Sequence, residues 1–98
     1  MDFNERCYEL LKQIPKGKVI TYAKIANALD TKAYRAVGNA MAKNKNLITI
    51  PCHRVVKSDG SVGGYALGVD KKIELLQSEG VIISDEKKID LERFLYQF

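Results

Sequence analysis

The chain opens on an amphipathic pattern. Phe3, Cys7, Leu10, Leu11 and Ile14 recur three and four residues apart, which stacks them on one face of a helix. Asp2 stands just ahead with Glu5 three residues on, the spacing of a capping box. Pro15-Lys16-Gly17 stops that helix. Val19-Ile20 predicts a short extended piece, and Thr21 predicts the N-cap of a second, short helix through Tyr22, Ile25, Ala26 and Leu29. Asp30-Thr31-Lys32 is the turn into a third helix, Ala33 to Lys43, rich in small residues.

Farther on the periodicity changes. Leu47-Ile48-Thr49-Ile50 predicts an extended segment, with Pro51 keeping Ile50 out of helical geometry. Val55-Val56, a turn at Ser58-Asp59-Gly60 and Val62 predict a small hairpin. Gly63-Gly64-Tyr65-Ala66-Leu67-Gly68 is a loop. Asp70 is expected to cap a helix carrying Ile73, Leu76 and Gln77 and ending at Gly80. A short strand over Val81-Ile82-Ile83, a charged turn from Asp85 to Lys88 and a last helical turn through Leu91, Phe94 and Leu95 follow. The expected fold class is mainly α with a small β-sheet. Two short helices joined by a tight turn match a helix-turn-helix, and the hairpin stands where a wing would.

Size and composition narrow this. The 98 residues have room for one domain, so a single domain over 1–98 with no N-terminal domain is expected. Hydrophobic residues make up 46% of the chain, in the globular range. No apolar run approaches the roughly 18 residues a membrane span needs. The start, Met1-Asp2-Phe3-Asn4-Glu5, is too polar for a secretory signal, so a cytoplasmic or nuclear location and no membrane partner are expected. Cys7 and Cys52 are expected to remain free thiols in that compartment. One histidine and two distant cysteines offer no zinc spacing, so no metal is expected. Charge is uneven: residues 1–60 carry a net +6 and residues 61–98 a net −2, within an overall +4. A basic half favours a polyanionic partner without deciding for one.

The candidate chemistry lies in Pro51-Cys52-His53-Arg54-Val55-Val56. A free thiol has a pKa near 8.5, leaving about 3% thiolate at pH 7 unless a neighbouring base assists. Adjacent side chains do not face one another in regular helix or strand, so Cys52 and His53 need an irregular turn or a bridging water to cooperate. Taken alone, the pair is as compatible with packing as with catalysis.

The wider string is more specific. With Arg35-Ala36-Val37-Gly38 before it and the glycine-rich loop after it, the Pro-Cys-His-Arg-Val run resembles the O6-alkylguanine-DNA alkyltransferase family, over about Phe3 to Gly80. The resemblance implies a winged helix-turn-helix-like alkyltransferase domain that moves an alkyl group irreversibly from guanine O6 to Cys52, once per molecule. It makes Cys52 the nucleophile, His53 the base acting through a water, Glu79 the carboxylate orienting His53, and Asn44 the hinge to the recognition helix; Arg54 reads as structural. It implies that Arg35 enters the base stack as the target nucleotide leaves and that Tyr22 pushes on the adjacent phosphate. The small residues Ala33, Ala36, Gly38 and Ala40 allow close approach to a minor groove. Met41, Val55, Tyr65 and Ala66 match the guanine pocket, Tyr65 also donating a proton to the departing base. The implied partner is double-stranded DNA containing O6-alkylguanine, bound by a monomer without a cofactor. Asn39 stands where a small residue is common, and Ala66 where a serine is common. Two other readings remain: a non-catalytic alkyltransferase-like damage sensor, in which the cysteine is commonly tryptophan, and a winged-helix transcription regulator.

Overall fold

The computed structural model describes residues 1–47 and 49–98. Its elements are helix α1 (Phe3–Leu11), strand β1 (Ile20–Thr21), helices α2 (Tyr22–Ala28) and α3 (Tyr34–Ala42), a 3-10 turn (Cys52–Arg54), strand β2 (Val55–Val56), and helices α4 (Val69–Ser78) and α5 (Leu91–Phe94). It is mostly helical with a two-stranded sheet, the class the sequence pattern predicts.

Local chemistry explains most boundaries. Asp2 caps α1, its Oδ1 accepting from the Glu5 N–H at 2.8 Å. The helix ends at Leu11, short of Ile14; Gln13 and Ile14 instead close tighter turns onto the Leu10 and Leu11 carbonyls at 3.1 and 3.0 Å. Ile14 still reaches the core. Thr21 caps α2, its Oγ1 accepting from the Lys24 N–H at 3.1 Å. The α2–α3 turn passes through Asp30 at φ 56° and is braced by the Ala33 N–H donating to Thr31 Oγ1 at 3.1 Å.

Strands β1 and β2 pair in parallel, Ile20 opposite Val55 and Thr21 opposite Val56. Successive side chains on a strand point to opposite faces. Ile20 and Val55 therefore enter one cluster with Cys7, Leu11, Ile14, Ile25, Val37 and Ala40. Val19 and Val56 enter a second, with Val62, Leu76, Val81, Ile89 and Phe94. The adjacent apolar pairs Val19-Ile20 and Val55-Val56 thus mark a sheet buried on both faces. The C-terminal segment joins it: Val19 donates to Phe94 and Tyr96 donates back to Val19, at 2.9 and 2.8 Å.

Four local expectations change. The hairpin does not form: β2 pairs with β1 in parallel instead. The turn survives, closed by Lys57 N–H to the Ser61 carbonyl at 2.9 Å, but the arm beyond it bonds to residues 87–89. Val81-Ile82-Ile83 is not a strand; Ile83 makes an isolated bridge to Ile89. Asp70 lies in the first turn of α4 and is not its cap, which is Gly68 at φ 95°. The segment expected to be extended before Pro51 is a turn, Ile50 donating to the Asn46 carbonyl at 3.0 Å and Thr49 to Asn46 Oδ1 at 3.2 Å; Ile48 lies outside the described residues. Gly17 allows the end of α4 to approach: a Cβ there would stand 3.2 Å from the Glu79 carbonyl oxygen.

Candidate functional site

The 3-10 turn after Pro51 is the irregular geometry that Cys52 and His53 require. The Cys52 N–H donates to the Ile50 carbonyl at 2.8 Å and Arg54 to the Pro51 carbonyl at 3.0 Å, so three consecutive side chains fan out from one tight bend. All three are buried.

Glu79, the C-cap of α4, receives two of them. Arg54 Nε donates to Oε1 at 2.9 Å and Nη2 to Oε2 at 2.7 Å, while His53 Nε2 lies 3.0 Å from Oε2. Arg54 Nη1 donates to the Ile14 carbonyl at 2.7 Å, tying the cluster to the end of the α1 segment. Burial alone would raise the Glu79 carboxyl, but the hydrogen bonds from Arg54 and His53 outweigh it and hold the group below its usual value. An anionic Glu79 can only accept, which puts the His53 proton on Nε2 and leaves Nδ1 as the acceptor of a neutral ring. Nδ1 is buried and has no hydrogen-bond partner among the described residues. Burial also lowers the His53 pKa against the pull of Glu79, so the ring is neutral at pH 7. The Cys52 thiol is pushed up by burial, opposed by the Asn44 amide and the charge of Lys72. It is a protonated thiol beside a neutral imidazole, a pair that needs a base step to form the nucleophile.

Asn44 spans the gap between α3 and this turn. Its Nδ2 donates to the Ile50 carbonyl at 2.9 Å, its Oδ1 accepts from Asn46 N–H at 2.9 Å, and its own N–H donates to the Met41 carbonyl at 3.2 Å.

Cys52 opens into a cavity of about 300 Å³ lined also by Tyr22, Gly38, Met41, Ala42, Gly64, Tyr65 and Ala66. Met41, Tyr65 and Ala66 were expected there, and Tyr22 and Gly38 join them from the residues expected on DNA. Val55 does not: its side chain is fully buried in the first core cluster, and its carbonyl accepts from Lys72 Nζ at 2.6 Å. The parity of β2 puts Val55 in the cluster that also holds Cys52 and Met41, where it is fully covered, while Val56 enters the other. Tyr65 meets the His53 ring edge-on, centroids 6.3 Å apart.

Helix α3 forms one wall. Val37, Ala40 and Met41 face the core, while Arg35, Gly38, Asn39 and Ala42 fall on the opposite side at helical spacing. Arg35 is exposed and does not line the cavity; Ala36 is half-buried. A Cβ added at Gly38 would meet nothing within 4 Å, so this face is open to an incoming partner.

Three residues at the site were not singled out from sequence. Ala42 lies one turn beyond Gly38, a spacing that would have found it. Gly64 lay unassigned in the loop already marked. Lys72 occupies the apolar stripe Val69, Lys72, Ile73, Leu76 at i, i+3, i+4 and i+7, where a lysine signals burial.

The chain is similar to proteins of one family. A family model described as "6-O-methylguanine DNA methyltransferase, DNA binding domain" matches residues 2–81. The chain belongs to this family. Within it, the chain is similar to the bifunctional methyltransferase/endonuclease of Picrophilus torridus, 45% identical over 97 residues that make up 98% of this chain and 32% of that protein. It is 50% identical over 80 residues to the methylated-DNA–protein-cysteine methyltransferase of Thermococcus gammatolerans, covering 81% of this chain and 45% of that one. Its fold is similar to S. pombe Atl1, solved in complex with damaged DNA containing O6-carboxymethylguanine, with a TM-score of 0.83 at 27% identity, covering 98% of this chain and 95% of that one. The chain spans about a third to a half of the length of these two methyltransferase relatives. Cys52, His53 and Arg54 are buried together, with Glu79 bonded to the last two, and no helix of the described residues is long and apolar enough to cross a membrane.

Proposed function

We propose that this chain repairs DNA by direct reversal, transferring the alkyl group of O6-alkylguanine in a duplex to Cys52 in a single irreversible turnover. The observation that carries the reading is a cysteine opening into a cavity from a turn whose next residue presents a buried imidazole nitrogen with no hydrogen-bond partner among the described residues. Family membership supports the same reaction class.

The proton of Cys52 passes through a water to His53 Nδ1, and Glu79 stabilises the imidazolium. The thiolate attacks the alkyl carbon: the S–C bond forms and the C–O6 bond breaks. The C–O6 electron pair stays on the purine, which takes a proton from the Tyr65 hydroxyl to become guanine, still part of its strand. The imidazolium then gives its proton to water and Tyr65 regains one from water. A thioether has no easy route back to thiol, so each molecule acts once.

A base within a duplex is inaccessible, so the nucleotide must leave the stack. Exposed Arg35, at the start of α3, is our candidate for filling the gap, and Tyr22, at the cavity wall, for contacting the neighbouring phosphate. Ala36 and Gly38 keep the approaching face of α3 low. Met41, Tyr65 and Ala66 contact the extruded guanine, and Asn44 couples α3 to the reactive turn. The 98 residues act as one unit, as a monomer on double-stranded DNA, in the cytoplasm or nucleus.

A second reading is a damage sensor that binds the lesion without transfer, favoured by the near-complete mutual coverage with Atl1. Cys52 with its neutral base favours transfer. Intact mass after incubation with excess O6-methylguanine duplex separates the two: the transfer reading expects gain of one methyl in place of one hydrogen, levelling off at one per chain. No gain at any excess of duplex favours the sensor, and continued consumption of lesion beyond one per chain overturns the single-turnover step.

A further inference from the structure

Lys72 is the largest fully buried side chain of the protein, at 0% exposure. Among the described residues it makes no ion pair with a carboxylate. Its Nζ donates instead to two carbonyl oxygens, Val55 at 2.6 Å and Gly64 at 3.1 Å. These belong to the strand that follows the reactive turn and to the loop that lines the cavity. A Cβ built on Gly63 would stand 3.7 Å from this Nζ and 3.8 Å from the Tyr22 hydroxyl, so ammonium and phenol converge behind that loop. The placement is fixed from both sides.

An ammonium withdrawn from water without a counter-charge is unfavourable. The groups around it are few. From the 3-10 turn come Cys52 and neutral His53, from the chain after β2 comes Lys57, and from α2 comes Tyr22. Of these, Lys57 opposes the charge and ionised Cys52 favours it. A thiolate on Cys52 is thus the anion whose appearance this cation is placed to balance.

We propose that Lys72 is a positioning residue for alkyl transfer, its ammonium clamped between the Val55 and Gly64 carbonyls so that a fixed positive charge supports the Cys52 thiolate as the proton leaves. The proposal rests on the transfer reading, since it gives Lys72 a part in that reaction's nucleophile. It is consistent with mutual electrostatics: Lys72 lowers the Cys52 pKa, and the Lys72 pKa, brought down to about 8 chiefly by burial, is held up in part by Cys52. At neutral pH the group is still mostly protonated. The same clamp fixes the loop that carries Tyr65 and Ala66, so charge and cavity wall are set by one side chain.

The test is the pH profile of Cys52 alkylation by iodoacetamide, read peptide by peptide because Cys7 is also present, for wild type, Lys72→Met and Lys72→Gln. Thermal melting identifies variants that remain folded. Loss of a nearby opposite charge shifts a thiol upward by about one pH unit. Both variants should therefore react about tenfold more slowly at pH 7.5, with the profile displaced upward. A wild-type profile in a folded Met variant overturns the proposal. So does a wild-type profile in the Gln variant alone, since the lysine would then act only as a hydrogen-bond donor. A measurement on the unmutated chain guards against misfolding: the midpoint of the Lys72 ¹⁵Nζ titration should fall once iodoacetamide has capped Cys52, and an unchanged midpoint overturns the coupling. Methyl transfer from O6-methylguanine duplex is measured on wild type in parallel. If it fails while the iodoacetamide profiles shift, the transfer reading falls and the Lys72–Cys52 coupling stands.

Discussion

Arg54 grips both oxygens of Glu79, at 2.9 and 2.7 Å, within a cluster whose side chains are about nine-tenths buried. That bidentate pair does two jobs with one carboxylate. It closes the fold from the Ile14 carbonyl to the end of α4, and it keeps Glu79 anionic so that His53 is held in one tautomer. Glu79→Gln should therefore damage stability and transfer together. Removing one partner of a buried pair leaves the other uncompensated, which typically costs about 3–5 kcal/mol. Loss of the group that supports a general base typically slows reaction by about 10²-fold or more. Single-turnover kinetics and thermal melting check both. The sign with pH follows from the depressed Glu79 pKa: the advantage of wild type should be full above the ordinary value of 4.5 and disappear as pH falls through the lower folded value.

Transfer should also have an acid limb set by His53. Burial lowers its pKa from 6.5, so the ring stays neutral, and able to accept a proton, below the pH at which a free imidazole would be half charged. The single-turnover rate should hold level as pH falls through 6.5 and drop only beneath it. Stability should begin to fall sooner, because the unfolded chain takes up the proton first as pH descends through 6.5. A rate that halves at 6.5 or above contradicts the assignment of His53 as a buried neutral base.

Much of this arrangement was legible before any coordinates. The α1 stripe with Asp2, and Thr21 ahead of α2, declare themselves because capping and helical periodicity are local. Cys52 and His53 stand out as a motif. What sequence does not give is pairing between distant pieces. Val55-Val56 reads as one arm of a hairpin because Ser58-Asp59-Gly60 follows, yet its partner is Ile20-Thr21, thirty-five residues earlier. That same pairing buries Val55 completely in the cluster with Cys52 and Met41, so it does not line the cavity. Val81-Ile82-Ile83 has strand composition, but only an isolated bridge at Ile83 meets it. Lys72 was missed because lysine is rarely fully buried, although its slot in the stripe of α4 is apolar.

Arg35→Ala should slow repair in duplex DNA far more than reaction with free O6-benzylguanine. Arg35 is exposed and stands off the cavity, so it has no contact to lose with a free base. Unstacking a nucleotide costs on the order of a few kcal/mol, which the inserted side chain is expected to offset. Rates on both substrates are the check; equal losses would make Arg35 a structural residue.

DNA affinity should fall steadily with salt. Lys16, Lys24, Lys32, Lys43 and Lys45 are exposed, whereas Lys18 is half-buried and donates to the Arg93 carbonyl at 3.2 Å. If about three to five of the exposed lysines meet phosphates, log K against log salt should slope at roughly −3 to −4.5. Fluorescence anisotropy across a salt series measures it, and a flat response contradicts an electrostatic contribution. Lys18→Ala should leave the slope unchanged.

The central claim is that Cys52 takes the alkyl group, and tandem mass spectrometry of the digested protein tests it most directly. After reaction with an O6-methylguanine duplex, the methyl should lie on the peptide carrying Cys52, with the buried Cys7 unmodified and the DNA returned to guanine. Cys52→Ala should acquire no methyl yet bind the same duplex, because the α2–α3 surface is untouched. A methyl on Cys7, or methylation persisting in the Cys52→Ala protein, would contradict the assignment.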